Sequence, residues 1–183
     1  MDFTFFQLIN QFAGKLGLLD SLMVGLAQYG VLLLALPLLY MWFKGDTGAK
    51  KAALLSLLSM AIALLINQII GHIYFRPRPF TAHSVTQLID HSADSSFPSD
   101  HTSFAFGIAW LIMFKDRRIG TFALLIGVLV GISRVFVGVH YPGDVLAGAL
   151  VGLVAAVFVW KLRAVLDPVT SFFIGVARKL KLA

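Results

Sequence analysis

Three short segments of this sequence carry side chains whose types and spacing could transfer a phosphoryl group. They are residues 71–80, 97–101 and 133–144. Of the three arginines in these segments, Arg78 and Arg134 are the candidates for phosphate binding, because the planar fork of a guanidinium group suits the oxygens of a phosphate. Two histidines, His101 and His140, could act beside them in nucleophilic or acid–base roles. These four side chains favour phosphoryl transfer, in which catalysis depends mostly on positioning and charge stabilisation.

A helix N-terminus is predicted immediately before His101. Ser99 has a side chain that favours helix N-caps, so the third apolar helix is predicted to start there. The free backbone N–H groups of such a terminus bind anions, and His101 would lie in the first turn beside the anion. Asp144 follows His140 by four residues, so its carboxylate could hold one imidazole nitrogen and leave the other free. This spacing predicts a base or nucleophile oriented by a third group.

The sequence does not favour a metal site or a cofactor. It contains no Glu and no clustered set of carboxylates, so Mg²⁺ and Zn²⁺ sites have little support. It also contains no Cys, which excludes disulfides and thiolate metal sites. We therefore predict chemistry that uses side chains alone.

The composition predicts that these segments belong to a membrane protein. Of the 183 residues, 58% are hydrophobic and 13% are charged, and a soluble domain carries about 25% charged residues. We expect a single all-α domain over residues 1–183, built as a transmembrane bundle of five to six helices. The five predicted spans are residues 21–43, 52–75, 97–114, 119–137 and 145–161. Residues 3–16 and 168–182 are predicted to be amphipathic surface helices, or, at the N-terminal end, a partial sixth insertion.

Small residues predict how two of these helices pack. Gly127 and Gly131 are four residues apart in the fourth span, and Gly148 and Gly152 repeat this spacing in the fifth. Such pairs let membrane helices approach closely. We expect them to bring the fourth and fifth helices together, and with them Arg134 and His140.

The basic residues predict the orientation of the bundle. The net charge is +6, but no polar domain could carry a nucleic-acid-binding face, so no nucleic acid partner is expected. Eleven of the 15 basic residues fall on one side of the predicted spans, which the positive-inside rule places in the cytoplasm. The three segments of the candidate site then face outward. The basic residues of the cytoplasmic side are Lys44, Lys50, Lys51, Lys115, Arg117, Arg118, Lys161, Arg163, Arg178, Lys179 and Lys181.

The motifs resemble those of the type 2 phosphatidic acid phosphatase superfamily. The matching runs are Arg78-Pro79, Pro98-Ser99-Asp100-His101, and Ser133-Arg134 followed by His140 and Asp144. The resemblance implies that His140 is the nucleophile and forms a phosphohistidine, and that Asp144 orients it. His101 would protonate the leaving oxygen, while Arg78, Ser99 and Arg134 would hold the phosphoryl group. It also implies a metal-independent reaction.

Two positions depart from the family pattern. Gly71 stands where the family has a Lys, and Arg76 and His72 are the candidates to replace its phosphate contact. Asp100 stands where the family has Gly, and we expect its carboxylate to point away from the anion, which its backbone N–H would contact. Both departures resemble the bacitracin-resistance branch of bacterial undecaprenyl-diphosphate phosphatases. His83 and His91 match no motif position and are predicted to be structural.

The resemblance implies an enzyme that hydrolyses undecaprenyl diphosphate and so recycles the lipid carrier of cell-wall synthesis. Its partners would be a polyprenyl diphosphate and the bacterial inner membrane, with the site facing outside the cytoplasm. The sequence does not indicate an oligomeric state. A phosphatidylglycerophosphate or phosphatidate phosphatase of the same superfamily is an alternative. A non-enzymatic channel or transporter is another, although the charges cluster at one face and not within the spans.

Overall fold

The computed structural model describes residues 1–182, and all regular structure in this part of the chain is helical. The elements are α1 (Asp2–Asn10), α2 (Gly17–Tyr29), a 3₁₀ segment (Gly30–Leu34), α3 (Ala35–Lys44), α4 (Thr47–Ile73), α5 (Pro79–Ala82), α6 (Asp100–Lys115), α7 (Arg117–Phe136), α8 (Pro142–Leu162) and α9 (Asp167–Lys179). The irregular segment 83–99 between α5 and α6 is called the outer loop below.

Five long helical segments confirm the predicted all-α transmembrane bundle. Four of them are long and apolar enough to cross a membrane: Gly17–Lys44, Thr47–Ile73, Arg117–Phe136 and Pro142–Leu162. The fifth, α6, has 16 residues and spans about 24 Å, less than the roughly 30 Å of a bilayer core. It packs against α4, α7 and α8, and its Ala105, Ala109 and Leu111 are fully buried. The short helix is therefore the centre of the bundle.

Two helices begin earlier than their apolar stretches predict. The Asp46 carboxylate accepts a hydrogen bond from the Ala49 N–H at 2.6 Å, so α4 begins at Thr47 and not near residue 52. Asp116 accepts from the N–H groups of Arg118 and Ile119, so α7 begins at Arg117. Aspartate caps satisfy free N–H groups in these polar first turns, which a hydropathy pattern does not detect.

The glycines were predicted to pack α7 directly against α8, and this prediction is wrong. Three of the four glycines face α6 or its N-cap. Gly127 lies against Phe106, Gly148 against Ser99 and the first turn, and Gly152 against the α6 backbone. A Cβ atom added at Gly148 would lie 2.7 Å from the Ser99 carbonyl oxygen. Only Gly131 faces across from α7 to α8, at Val145. The glycines thus bring α7 and α8 to a shared central helix more than to each other.

This close approach makes a stability prediction at Gly152. An alanine Cβ would lie 2.6 Å from the backbone nitrogen of Gly107, which cannot rotate away. We expect Gly152→Ala to lower the free energy of unfolding by about 1–3 kcal/mol, measured as thermal unfolding in detergent. The control is Gly25→Ala in α2, where an added Cβ meets nothing within 4 Å. An unchanged melting temperature for Gly152→Ala would contradict the contact between α6 and α8.

One end of the bundle collects the elements of the candidate site. The C-termini of α4 and α7 meet the N-termini of α6 and α8 there, and the outer loop and α1 lie over them. The Asn10 side chain donates hydrogen bonds of 2.8 Å to the carbonyl oxygens of Phe136 and Thr86, which joins α1 to α7 and to the outer loop. Phe6 is fully buried against Tyr141. Helix α1 is therefore packed onto this end of the bundle.

Candidate active site

The three segments predicted from the sequence meet at this end. Arg78 precedes α5, Ser99 precedes α6, and Arg134 lies in the last turn of α7. His140 lies in the turn between α7 and α8, and Asp144 in the first turn of α8. All five are buried. The fold thus brings together side chains that are separated by up to 66 residues of chain.

His140 is fixed through both ring nitrogens. Its Nδ1 lies 2.9 Å from the Ser96 carbonyl oxygen, and its Nε2 lies 3.2 Å from Nη1 of Arg78. A carbonyl only accepts and a guanidinium only donates, so Nδ1 carries the proton and Nε2 presents its lone pair. Burial lowers the pKa of His140 well below its usual value, and the guanidinium groups of Arg134 and Arg78 act in the same direction. The imidazole is therefore neutral, and its basic nitrogen faces the Arg78 guanidinium group.

Asp144 contacts His140 less directly than the sequence pattern predicts. Its Oδ2 lies 3.6 Å from Nδ1, which is beyond hydrogen-bonding distance, and accepts a 2.8 Å bond from the Tyr141 N–H. The hydrogen bond that orients the imidazole goes to the Ser96 carbonyl instead. The buried carboxylate still provides a negative charge beside the ring, where it would favour an imidazolium that forms during the reaction.

Arg76 lies on the far side of Asp144. Its Nη1 donates to Oδ1 of Asp144 and its Nη2 to Oδ2 of Asp2, both at 2.7 Å. The guanidinium group also stacks over the Tyr141 ring, 4.1 Å from its centroid. The other Asp2 oxygen accepts a hydrogen bond from the Gly143 N–H. In this structure, then, Arg76 pairs with carboxylates of α1 and α8.

Arg134 has two unused donors in a buried place. Its Nη1 donates to the Ala27 carbonyl oxygen at 2.9 Å. Its Nε and Nη2 are buried and find no hydrogen-bond partner among residues 1–182. Buried polar groups are nearly always partnered, so two adjacent free donors on one guanidinium group indicate a site for an anion.

Arg78 is held by the outer loop. Its Nε donates to the Asp94 carboxylate at 2.8 Å, and its Nη2 to the Ser95 carbonyl oxygen at 3.3 Å. Its Nη1 is shared between the Val139 carbonyl oxygen and His140. Partial burial acts to raise the pKa of Asp94, but the ion pair with Arg78 keeps that pKa below its usual value. Arg78 is thus a fixed cation directly beside Nε2 of His140.

The start of α6 differs in one detail from the predicted cap. Ser99 is the N-cap residue, but its hydroxyl makes no capping hydrogen bond and instead accepts from Thr102 Oγ1 at 3.1 Å. The Asp100 carboxylate accepts a 2.8 Å hydrogen bond from the Asn67 side chain, which ties it to α4. His101 is half-buried in the first turn. The first-turn N–H groups of α6 are not capped by the Ser99 side chain.

A polar cavity of about 210 Å³ lies between α4, the outer loop and α6. Its lining includes Gly71, His72, Asp94 and Asp100. His72 is exposed, and its Nδ1 lies 2.7 Å from the Gln68 carbonyl oxygen of its own helix. A Cβ atom added at Gly71 would meet no atom within 4 Å, so this position opens into free space.

Sequence reasoning missed several contributors to the site. The carbonyl groups of Ser95 and Ser96 orient Arg78 and His140, but a backbone group in an irregular loop carries no sequence signal. Asp94 is an exposed residue of this loop that matches no motif position, yet it pairs with Arg78. His91, predicted to be structural, lies beside His140. The only available signal was the density of polar residues in the outer loop.

Comparison with known proteins agrees with this geometry. The profile of the PAP2 superfamily matches residues 52–167. The chain is 38% identical to undecaprenyl-diphosphatase BcrC of Bacillus subtilis over 98% of its own length and 95% of that protein. The crystal structure of Aquifex aeolicus LpxE superimposes with a TM-score of 0.72 at 27% identity, covering 87% of this chain and 94% of that one. The crystal structure of a PAP2-type phosphatidylglycerolphosphate phosphatase from Bacillus subtilis superimposes with a TM-score of 0.62 at 25% identity. This match covers 88% of this chain and 83% of that one. The chain belongs to the PAP2 superfamily.

Proposed function

We propose that the protein hydrolyses undecaprenyl diphosphate to undecaprenyl phosphate and inorganic phosphate at the outer face of the bacterial cell membrane. The observation that carries this proposal is the pair of buried, unpartnered donors of Arg134, a residue whose carbonyl oxygen accepts from the His140 N–H and whose charge acts on the His140 ring. The similarity to the Bacillus subtilis undecaprenyl-diphosphatase supports the choice of substrate. The product would return to cell-wall synthesis as its lipid carrier.

The first step forms a phosphohistidine. Nε2 of His140 attacks the terminal phosphorus, an N–P bond forms, and the P–O bond to the bridging oxygen breaks with its electrons going to undecaprenyl phosphate. The ring becomes cationic while Nδ1–H stays on the Ser96 carbonyl, and the Asp144 carboxylate at 3.6 Å stabilises that charge. Arg134, Arg78 and the first-turn N–H groups of α6 bind the phosphoryl oxygens. Arg78 Nη1 moves from Nε2 to one of these oxygens as the substrate binds.

The second step releases phosphate. A water molecule attacks the phosphorus from the side that the leaving group has vacated, and His101 accepts its proton. The N–P bond breaks, and His140 returns to its neutral form. Both steps use only side chains and backbone groups of this chain, together with water.

The function is tested by phosphate release from purified protein in detergent micelles that contain a long-chain polyprenyl diphosphate. We expect turnover to persist in EDTA. Phosphatidylglycerophosphate is the comparison substrate, because the similarity to the PAP2-type phosphatidylglycerolphosphate phosphatase favours it as a second candidate. A higher kcat/KM on phosphatidylglycerophosphate than on polyprenyl diphosphate would make phosphatidylglycerophosphate the preferred substrate. No phosphate release from either lipid would contradict the proposal that the protein is a phosphatase.

His101 is expected to matter differently for the two kinds of lipid. A diphosphate leaves as a phosphate ester, whereas a monophosphate leaves as an alkoxide that needs a proton from a general acid. His101→Ala should therefore lower the rate of the first step on phosphatidylglycerophosphate by about ten-fold more than on polyprenyl diphosphate. Single-turnover rates on both lipids measure the first step alone. Equal losses on both would contradict His101 as the acid.

The outward orientation of the site is tested by cysteine labelling. The natural chain has no Cys, so single cysteines can be introduced without a background. Ser84→Cys in the outer loop should react with a membrane-impermeant maleimide in intact spheroplasts. Ser171→Cys in α9 should react only after the membrane is opened. Both serines are exposed, so the opposite pattern would place the site in the cytoplasm.

A further inference from the structure

The outer loop places a third imidazole beside the nucleophile. The ring of His91 lies 6.3 Å from that of His140, centroid to centroid, and the two rings meet nearly edge to face at 77°. His91 belongs to none of the motifs that carry the family resemblance. Its position in the fold, and not its spacing in the sequence, brings it into the site.

The ring of His91 has one nitrogen engaged and one free. Its Nδ1 lies 3.2 Å from the Ser92 carbonyl oxygen and 3.8 Å from the Asp94 carboxylate, which itself binds Arg78. Its Nε2 has no hydrogen-bond partner among the described residues, although its side chain is only 21% exposed. A half-buried imidazole with a free nitrogen, which lies beside the nucleophile and within the field of Arg78 and Arg134, can take one more polar contact.

The surrounding charges fit a phosphate oxygen as that contact. Burial lowers the pKa of His91, and the charges of Arg78 and Arg134 act in the same direction, against a smaller opposing effect of Asp94. The imidazole is therefore neutral in the free protein. Because Nδ1 faces the Ser92 carbonyl oxygen, Nε2 of the neutral ring accepts a hydrogen bond from a protonated P–O–H group. A bound phosphate oxyanion would favour the imidazolium, whose Nε2–H then donates to that oxygen.

A contact of this kind is needed because position 71 is a glycine. The family resemblance predicts a Lys there, and neither sequence candidate for its replacement is well placed. Arg76 pairs with Asp2 and Asp144. His72 lines the same cavity as Gly71, but its side chain is exposed and its Nδ1 is bound to its own helix. Gly71 itself opens into the polar cavity that Asp94 also lines.

We propose that Nε2 of His91 binds an oxygen of the substrate phosphate and so supplies the contact that a lysine at position 71 would make. The identity of the lipid rests on the function proposed above, whereas the phosphate contact does not. His91 is in this account a substrate-binding residue of the active site, contributed by the outer loop.

The first test removes the imidazole. His91→Ala should lower kcat/KM on polyprenyl diphosphate by about 10- to 100-fold, the usual effect of losing a hydrogen bond to a charged group. His91→Gln keeps a polar group at this place and should lose less. His83→Ala is the matched control, since His83 is an exposed histidine of the same loop that stacks on Phe3. A His91→Ala protein with activity within two-fold of the wild type would overturn the proposal.

A second measurement separates binding from structure and needs no turnover. Inorganic phosphate that binds the folded protein raises its melting temperature. This rise should be clear for the wild type and for His83→Ala, and at least halved for His91→Ala at the same phosphate concentration. An equal rise in His91→Ala would overturn the contact. Because the lipid is not used, this result stands even if the wild type proves inactive on polyprenyl diphosphate, which would count against the proposed function alone.

The sharpest test restores the lysine. Gly71→Lys is introduced into the His91→Ala protein, where position 71 has room for the longer side chain. We expect the double variant to have a kcat/KM at least ten-fold higher than that of His91→Ala alone. Gly71→Met in the same background adds a chain of similar length without the charge, and it should recover nothing. Recovery by methionine would show that His91 has no phosphate contact to replace. The same would follow if lysine gave no recovery and phosphate raised the melting temperature of His91→Ala as much as that of the wild type.

Discussion

His140→Ala should abolish turnover of polyprenyl diphosphate, with a loss in kcat of about 10⁴-fold or more. The imidazole is the only side chain in the proposed reaction that forms a bond to phosphorus, so no neighbouring side chain can replace it. Its neutral state and its Nε2 lone pair are set by burial and by the contacts to Ser96 and Arg78. The loss is measured as phosphate release over hours at high enzyme concentration.

The controls for His140 separate chemistry from folding. His140→Gln keeps much of the buried volume and should be as inactive as the alanine variant, with an elution profile in detergent like that of the wild type. A covalent intermediate should be visible when the terminal phosphate carries ³²P: the label on protein should survive alkali, be lost in acid, and accumulate in His101→Ala. Turnover within ten-fold of the wild type in either His140 variant would remove it as the nucleophile.

Arg134→Lys should have the second-largest effect, even though the charge is kept. The native side chain uses Nη1 to hold the Ala27 carbonyl oxygen and offers Nε and Nη2 together to an anion. A lysine has one ammonium group, which cannot anchor to α2 and bind two phosphoryl oxygens in the same fork geometry. We expect kcat/KM to fall by about 10²- to 10³-fold, as for the loss of a preorganised donor to a transition state.

Arg118→Lys is the matched control for this substitution. Arg118 lies in the first turn of the same helix, is exposed, and is far from the site. It should retain wild-type kcat/KM and melting temperature. If Arg134→Lys kept more than half of the wild-type kcat/KM, the two free donors of Arg134 would not bind the transferred group, and the main support for the proposed function would be lost.

The meeting of the catalytic segments could be predicted because it follows from helix ends. Apolar stretches of about 20 residues predicted where the chain crosses the membrane, and alternate crossings place the segments around Arg78, Ser99 and Arg134 on the same side. The four-residue spacing from His140 to Asp144 likewise predicted that the two side chains would be neighbours. These are local or topological properties, which a single sequence expresses directly.

The orienting contacts could not be predicted because they depend on the path of an irregular loop. The carbonyl group that holds His140 belongs to Ser96, and any residue type would offer the same oxygen. The direction in which Gly148 and Gly152 face is similarly a matter of helix rotation, which four-residue spacing leaves open. Arg76 was expected as a possible phosphate ligand, and its pairing with Asp2 depends on where α1 packs.

The backbone carbonyl groups of the outer loop constrain the number of residues that this loop can have. Ser95 and Ser96 orient Arg78 and His140 through oxygens that no side-chain substitution removes. The next residues lead directly into the N-terminus of α6, so these oxygens and the anion-binding turn are spaced by a fixed number of peptide units. Many single replacements in this stretch should therefore be tolerated, whereas inserting or deleting one residue between Asp94 and Ser99 would displace the nucleophile and the anion-binding turn together.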